Sequence, residues 1–138
     1  MAEEGATLSS GSLRLYAIPS APADSSFITQ HSSLPPVGAI DLYNYDPLNR
    51  HAAVGIMVAT EHRRKGYALA MLHELEKLST TNYQLHTLYA DIAAPNTVSL
   101  ALFQKAGFEQ CGLFKEWLIK DDKYIDTIRM QKILKEKQ

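Results

Sequence analysis

The sequence predicts one mixed α/β domain, in which helices pack on a single sheet. Its 138 residues are 46% hydrophobic and 21% charged, which is enough for one compact core and too short for two domains. Strand-like segments alternate with segments of helical period, in the order strands, helix, strand, helix and hairpin. We expect a flexible tail over 1–12, rich in Gly and Ser, and a single domain over 13–138.

Three strands are predicted in the first half of the chain. Residues 13–18 and 37–45 have strand composition, and the Pro- and Ser-rich residues 19–36 between them read as a loop. Residues 50–59 are apolar almost throughout, which is typical of a strand buried on both faces. Within 37–45, Ile40 and Leu42 fall on one face, and Asp41, Tyr43 and Tyr45 fall on the other.

Two helices and a hairpin follow. Residues 66–79 carry an apolar stripe with a period near 3.6, which predicts an amphipathic helix. After a strand over 85–92, Asn96 is a good N-cap for a second helix, and Gly107 is expected to end that helix in the left-handed conformation. The runs 113–119 and 124–134, joined by 120–123, predict the hairpin.

Charge and cysteine content exclude several classes of protein. The chain has 14 Lys and Arg against 15 Asp and Glu, so it lacks the positive surplus of a nucleic-acid-binding protein. Its one cysteine, Cys111, allows no intramolecular disulfide and is expected to be a small packed residue and not a nucleophile. The histidines show no ligand spacing, so we expect no metal site. The first residues lack the pattern of a signal peptide, and the longest apolar run is eight residues over 52–59, so we expect a cytoplasmic protein with no membrane partner.

The most informative segment, 54–68, passes from the apolar strand through a basic turn into the first helix. Gly66 would let the backbone approach a ligand, and the free N–H groups of the first helical turn favour an anion. Arg63, Arg64 and Lys65 add positive charge. The pattern is neither a P-loop nor a Rossmann fingerprint. On its own it leaves open both phosphate binding and an ordinary solvated turn.

Two further matches extend this segment into a family resemblance. Arg63-Arg64-Lys65-Gly66-Tyr67-Ala68 resembles the Arg/Gln-x-x-Gly-x-Gly/Ala signature of the GNAT superfamily of N-acetyltransferases. Residues 96–112 resemble the next helix of that family and the Gly-Phe that follows it. The ending 123–130 resembles the branch that contains spermidine and ribosomal-protein N-terminal acetyltransferases. The similarity covers about residues 36–134, in the family's order.

The resemblance implies the family's fold and its co-substrate, acetyl-CoA. The fold is a mixed, mostly antiparallel sheet with flanking helices, whose central strands splay apart after Ala59 so that the cofactor lies in the gap. The family's N-terminal helices are expected to be missing, because the 36 residues before Val37 show no helical stripe. The implied cofactor contacts are Ile56, Met57 and Val58 to the pantetheine arm, Arg63, Arg64, Lys65, Gly66, Tyr67 and Ala68 to the pyrophosphate, Asn96 to the pantetheine or thioester end, and Phe103 and Lys105 along the adenosine and sulfur side.

The implied reaction is direct transfer of an acetyl group to a primary amine in a ternary complex. The sequence departs from the family at the two positions that usually carry the acid and the base of this reaction. Phe103 stands where many members have a Tyr that protonates the leaving sulfur, and Ala53 stands where the polyamine branch tends to have a Glu. The replacement candidates are Tyr43, Tyr45 and Asp41 on the polar strand face, although half-buried packing would explain the tyrosines equally. A non-catalytic, CoA-binding or regulatory module of the same fold therefore stays open.

The acceptor implied by the resemblance is a polyamine, a small amine or amino acid, or a protein N-terminus. Asp41 and Asp46 favour a cationic acceptor, since they lie near the expected acceptor side. A shortened front would also expose apolar sheet and helix surface, so we expect a homodimer.

Overall fold

The computed structural model describes residues 12–17, 28–29, 38–58 and 66–134. These residues form a seven-stranded sheet and two helices. The elements are β1 (Ser12–Ala17), β2 (Ile28–Thr29), β3 (Gly38–Asp46), β4 (His51–Val58), α1 (Tyr67–Thr81), β5 (Thr87–Ala93), α2 (Thr97–Lys105), β6 (Glu109–Lys120) and β7 (Lys123–Ile133). All neighbouring strands pair antiparallel except β4 and β5, and the strand order is β2-β1-β3-β4-β5-β7-β6. This confirms the expected mixed, mostly antiparallel sheet.

The core lies on one face of the sheet, which we call the helical face because both helices pack on it. Ile40 and Leu42 of β3 meet Met71, Leu72 and Leu75 of α1 there, and all five are fully buried. The helix α1 crosses over between the parallel strands β4 and β5, as a parallel pair requires. Within the described residues no helix covers the opposite side of the sheet. We call that side, which carries Asp41, Tyr43, Tyr89, Asp91 and Arg129, the open face.

The ends of both helices follow the sequence prediction. Gly66 precedes α1 with φ 85°, and α1 begins at the next residue. Asn96 caps α2, because its Oδ1 accepts a hydrogen bond from the Ser99 N–H at 3.1 Å. Gly107 follows α2 with φ 100°, the left-handed conformation expected of it.

Some element boundaries differ from those predicted. The strand β6 begins at Glu109, four residues before the predicted run, and the predicted loop over 19–36 contains the short strand β2. Residues 1–11 of the predicted tail lie outside the described residues, and Ser12 is already the first residue of β1. The division into a tail and one domain stays a prediction.

The strand β4 is not buried along its whole length, so that part of the prediction is wrong. Ala52, Ala53 and Val54 are buried, but Met57 is 64% exposed. The reason is that β4 pairs with β5 only from His51 to Ala53. The expected splay is therefore present, and it begins after Ala53, six residues earlier than predicted.

A bulge in β3 separates two of the candidate catalytic residues. Asn44 has φ 52°, and the register with β4 gains one extra residue on β3 between Tyr43 and Asp46. One extra residue reverses the alternation of side chains. Tyr45 therefore packs against the core on the helical face, with its ring 6.2 Å from that of Tyr83. The prediction that Tyr45 shares a face with Asp41 and Tyr43 is wrong.

Candidate active site at the splay

The gap between β4 and β5 is the centre of the candidate site. Among the described residues, β4 pairs only with β3 beyond Ala53, and β5 pairs only with β7 beyond Tyr89. Each strand therefore has a backbone edge along the gap with no strand partner, and its N–H and C=O groups need another partner there. The predicted pantetheine segment Ile56 to Val58 lies on this edge of β4. Its contact with the cofactor stays a prediction.

The start of α1 provides the features of an anion site. Among the described residues, no side chain caps the first turn, and that turn contains no acidic residue that would repel an anion. Tyr67 is buried and fixes the helix start against the core, while Ala68 is half-buried. Arg63, Arg64 and Lys65 lie outside the described residues. Binding of the pyrophosphate at 63–68 stays a prediction.

The three cofactor contacts predicted at α2 differ in burial, since one is buried in the core and two are exposed. Phe103 is 2% exposed and packs edge-to-face on Phe108, with ring centroids 5.0 Å apart. Its side chain is part of the core and has no group that could donate a proton. Asn96 is exposed and uses its Oδ1 as the helix cap, and Lys105 is exposed in the last turn.

Tyr43 lies at the gap on the open face. A Cβ built on Gly55 would be 3.5 Å from Tyr43 Cε1, so the tyrosine ring lies across β4 just beyond the point where β5 separates. Burial raises the pKa of Tyr43, and the negative charges of Asp91 and Asp41 raise it further. The hydroxyl therefore stays protonated at neutral pH and can act as a donor.

The acidic residues that favoured a cationic acceptor already have partners. The Arg14 guanidinium donates to both carboxylate oxygens of Asp41, with Nη2 at 2.8 Å from Oδ2. Asp46 accepts hydrogen bonds from Leu48 N–H at 3.1 Å and Asn49 N–H at 3.0 Å, and from Asn49 Nδ2 at 2.9 Å. Hydrogen bonding, chiefly from the Asn49 side chain, lowers the pKa of Asp46. The charge of Asp41 is thus balanced by Arg14, whereas Asp46 stays ionised and its oxygens are engaged by the turn between β3 and β4.

Three residues of the open face were missed by the sequence reasoning. Tyr89 and Asp91 lie on β5, and Arg129 lies opposite Asp91 on β7. The alternation of Tyr89 and Asp91 with apolar neighbours was visible in the sequence. The order of the strands, which brings Arg129 beside them, was not.

Cys111 is exposed, which contradicts the prediction that it is packed. Its thiol is 3.4 Å from the Arg129 carbonyl oxygen. It is exposed because β6 is the edge strand of the sheet. In the described part of the chain, no three metal-ligating side chains come together, and neither helix is long and apolar enough to cross a membrane.

The described sheet is mostly antiparallel and opens at its parallel pair, β4 and β5, which is the arrangement that the GNAT resemblance implies. Comparison with known families agrees. The profile of the family described as acetyltransferase (GNAT) domain matches residues 13–109, and the chain belongs to this family.

The proteins that this chain resembles include spermidine acetyltransferases. The chain is 28% identical over 108 residues to spermidine N(1)-acetyltransferase of Vibrio cholerae serotype O1, a match that covers 78% of this chain and 62% of the length of that relative. A structure of spermidine N-acetyltransferase from Vibrio cholerae in complex with CoA and spermine has a TM-score of 0.74 and 22% identity, covering 90% of this chain and 66% of that one. A dodecameric structure of the Vibrio cholerae enzyme gives the same TM-score and identity, covering 91% and 67%. At this identity the structural likeness concerns the fold.

Proposed function

We propose that this chain is an N-acetyltransferase that moves an acetyl group from acetyl-CoA to a primary amine by direct transfer. The observation that carries the proposal is the gap between β4 and β5, with a protonated tyrosine hydroxyl beside it. Membership of the acetyltransferase family supports the same reaction.

The residues around the gap fit acetyl-CoA. The edge of β4 over 56–58 offers backbone groups without a strand partner to the pantetheine amides, and the uncapped first turn of α1 offers N–H groups to the pyrophosphate. The basic residues at 63–65 would add charge to that site. When bound, acetyl-CoA supplies the activated acyl group as a thioester.

The proposed chemistry needs one hydrogen-bond donor to the carbonyl oxygen and two proton movements. A backbone N–H on the open edge of β4 stabilises the negative charge that develops on this oxygen. The amine nitrogen bonds to the acyl carbon as the carbon–sulfur bond breaks, and Tyr43 donates the proton that the departing sulfur takes. Water removes the amine proton, because the carboxylates of Asp41 and Asp91 are each already held by a guanidinium group.

Of the three candidate catalytic residues, we retain Tyr43. Tyr45 lies on the helical face beside Tyr83, away from the open face. Asp41 shares a face with Tyr43, but its carboxylate is already bound by the Arg14 guanidinium, so we do not retain it as the base.

We propose a polyamine as the first acceptor to test, with small amines and protein N-termini as the alternatives. The support is the relative named as a spermidine acetyltransferase and not the charge of the open face, since Arg14 balances the charge of Asp41 and the turn between β3 and β4 engages Asp46. The experiment is thiol release from acetyl-CoA over a panel of spermidine, spermine, small monoamines and short peptides with free N-termini.

The cofactor assignment predicts that Gly66→Asp weakens CoA binding at least about tenfold, because it puts a negative charge among the N–H groups that face the pyrophosphate. Calorimetry with CoA measures this directly. Gly107→Asp is the matched control, since Gly107 is also left-handed but lies at the far end of α2. Unchanged affinity in Gly66→Asp, or an equal loss in both variants, would contradict the assignment.

One observation favours a second function, a CoA-binding module without activity. Phe103 is buried in the core where many family members have a proton-donating tyrosine. Such a module would bind CoA in calorimetry and release no thiol with any amine of the panel.

We also propose that the protein is a homodimer in the cytoplasm. Trp117, Ile119 and Tyr124 are 64%, 66% and 65% exposed at the end of the β6–β7 hairpin, and apolar surface of this kind is usually covered by a partner. The free, exposed Cys111 is compatible with a reducing compartment.

A further inference from the structure

Arg129 is held more rigidly than an ordinary surface arginine. Its Nε donates to Asp91 Oδ1 at 2.7 Å, and its Nη2 donates to Asp91 Oδ2 at 2.9 Å. Its guanidinium carbon lies 4.3 Å from the centre of the Tyr89 ring and 5.2 Å from that of Phe114. Because Nε and Nη2 both donate to one carboxylate and the guanidinium lies near two aromatic rings, the Arg129 side chain has little rotational freedom.

The pairing of β5 with β7 does not depend on this contact. The side chains of Arg129 and Asp91 are 37% and 33% exposed, and ion pairs at this exposure are screened by solvent. The strands concerned are already joined by a continuous antiparallel register from Thr87 to Ala93. The need to hold β5 to β7 therefore does not explain why the Arg129–Asp91 contact has such a well-defined geometry.

The position of Asp91 suggests that explanation. Tyr89 is the last residue of β5 that pairs with β4, and Asp91 is the next residue on the same face. Asp91 thus lies on the β5 side of the gap, while Tyr43 lies on the β4 side, over Gly55. The two are close enough for the charge of Asp91 to raise the pKa of Tyr43. An amine that enters from the open face would pass between them.

We propose that Arg129 is a positioning residue for the amine acceptor, which holds the Asp91 carboxylate and the Tyr89 ring at the edge of the gap. Fixed in this way, the outward lone pairs of Asp91 accept a hydrogen bond from the amine, and the Tyr89 ring limits where its alkyl chain can lie. This inference rests on the proposed acetyl transfer and adds to it the group that orients the acceptor.

The chemistry requires arginine at this position. Lysine would keep the positive charge, but it has neither the forked pair of donors nor the flat surface that stacks on Tyr89 and Phe114. Misplacement of a reacting group by about 1 Å can cost about 100-fold in rate. Arg129→Lys is thus expected to keep the positive charge but to hold the Asp91 carboxylate and the Tyr89 ring less precisely.

The test compares the steady-state kinetics of Arg129→Lys and Arg129→Gln with the wild type, using the best amine of the panel. We expect kcat to fall at least about tenfold in Arg129→Lys, with the affinity for CoA unchanged in calorimetry. We also expect Arg129→Gln combined with Asp91→Asn to lose no more activity than the worse single variant, since both act through one contact.

Lys132→Gln is the matched control. Lys132 lies on the same strand and forms an ion pair of 2.9 Å with Glu76, but on the helical face. This variant should lower the melting temperature and leave kcat unchanged.

Two results would overturn this inference and leave the proposed function intact. One is wild-type kinetics in Arg129→Lys, and the other is a loss of activity in both Arg129→Lys and Lys132→Gln that follows the fall in melting temperature. If the wild type transfers acetyl to no amine, the proposed function fails and this inference fails with it.

Discussion

At the scale of single residues, Tyr43 has the clearest chemical assignment. It lies over Gly55 beside the gap, on the face that also carries Asp91 and Arg129. The bulge at Asn44 gives Tyr45 the opposite orientation, so two tyrosines that are two positions apart in sequence have unrelated surroundings. Of the two, only Tyr43 lies on the face where we propose that the reaction takes place.

The first prediction concerns Tyr43→Phe, which removes the hydroxyl and keeps the ring. We expect kcat to fall by about 10²–10⁴, the usual loss of a general acid, while CoA affinity is retained. Because burial and nearby negative charge raise the pKa of Tyr43 above its ordinary value of 10.0, the wild-type rate should show no loss from this group below about pH 10. The measurement is kcat against pH.

Tyr45→Phe serves as the control, since Tyr45 is on the helical face. Equal losses of activity in the two variants would remove Tyr43 as the proton donor.

At the scale of elements, the start of α2 combines a structural and a predicted functional role in Asn96. The Oδ1 of this residue caps the helix, and the family resemblance assigns the same residue to the thioester end of the cofactor. The structural role can be tested by substitution on its own.

We expect Asn96→Ala to lower the free energy of unfolding by about 1 kcal/mol, as the loss of an N-cap usually does. Asn96→Asp should keep the cap and most of the stability, because a carboxylate oxygen also accepts from Ser99 N–H. Denaturant unfolding measures both. If Asn96→Asp unfolds as easily as Asn96→Ala, the cap does not contribute as described.

At the scale of the whole molecule, the sheet has one covered face and one open face. Both helices pack on the helical face, and the described residues provide no third helix for the other. The long edge strand β6 and the exposed end of its hairpin add apolar surface outside the core. A second copy of the chain is our proposed cover for this surface.

We expect the wild type to sediment as a dimer or larger assembly at micromolar concentration, and Trp117→Lys to shift it toward the monomer. The reason is that a charge at the centre of an apolar contact must lose its hydration. Leu48→Lys is the control, because Leu48 is exposed in the turn between β3 and β4, away from the hairpin. A wild-type monomer would contradict the proposal.

The sequence alone was sufficient for most elements and for the family. Helical period predicted α1, and the local chemistry of Asn96 and Gly107 predicted where α2 begins and ends. These features depend on neighbours within a few residues along the chain. The family was predicted from the motif around Gly66 together with the matches over 96–112 and 123–130, each a run of contiguous residues.

Tertiary structure decided what depends on residues distant in sequence. The splay begins at Ala53 because pairing with β5 ends there, and a run of apolar residues cannot show where its partner leaves. One extra residue at Asn44 reversed the face of Tyr45. Arg129 and Asp91 are 38 positions apart in the chain, and they meet only because β7 lies next to β5 in the sheet. Local periodicity is a property of neighbouring residues, whereas the site is made by strand order and register, which only the folded sheet specifies.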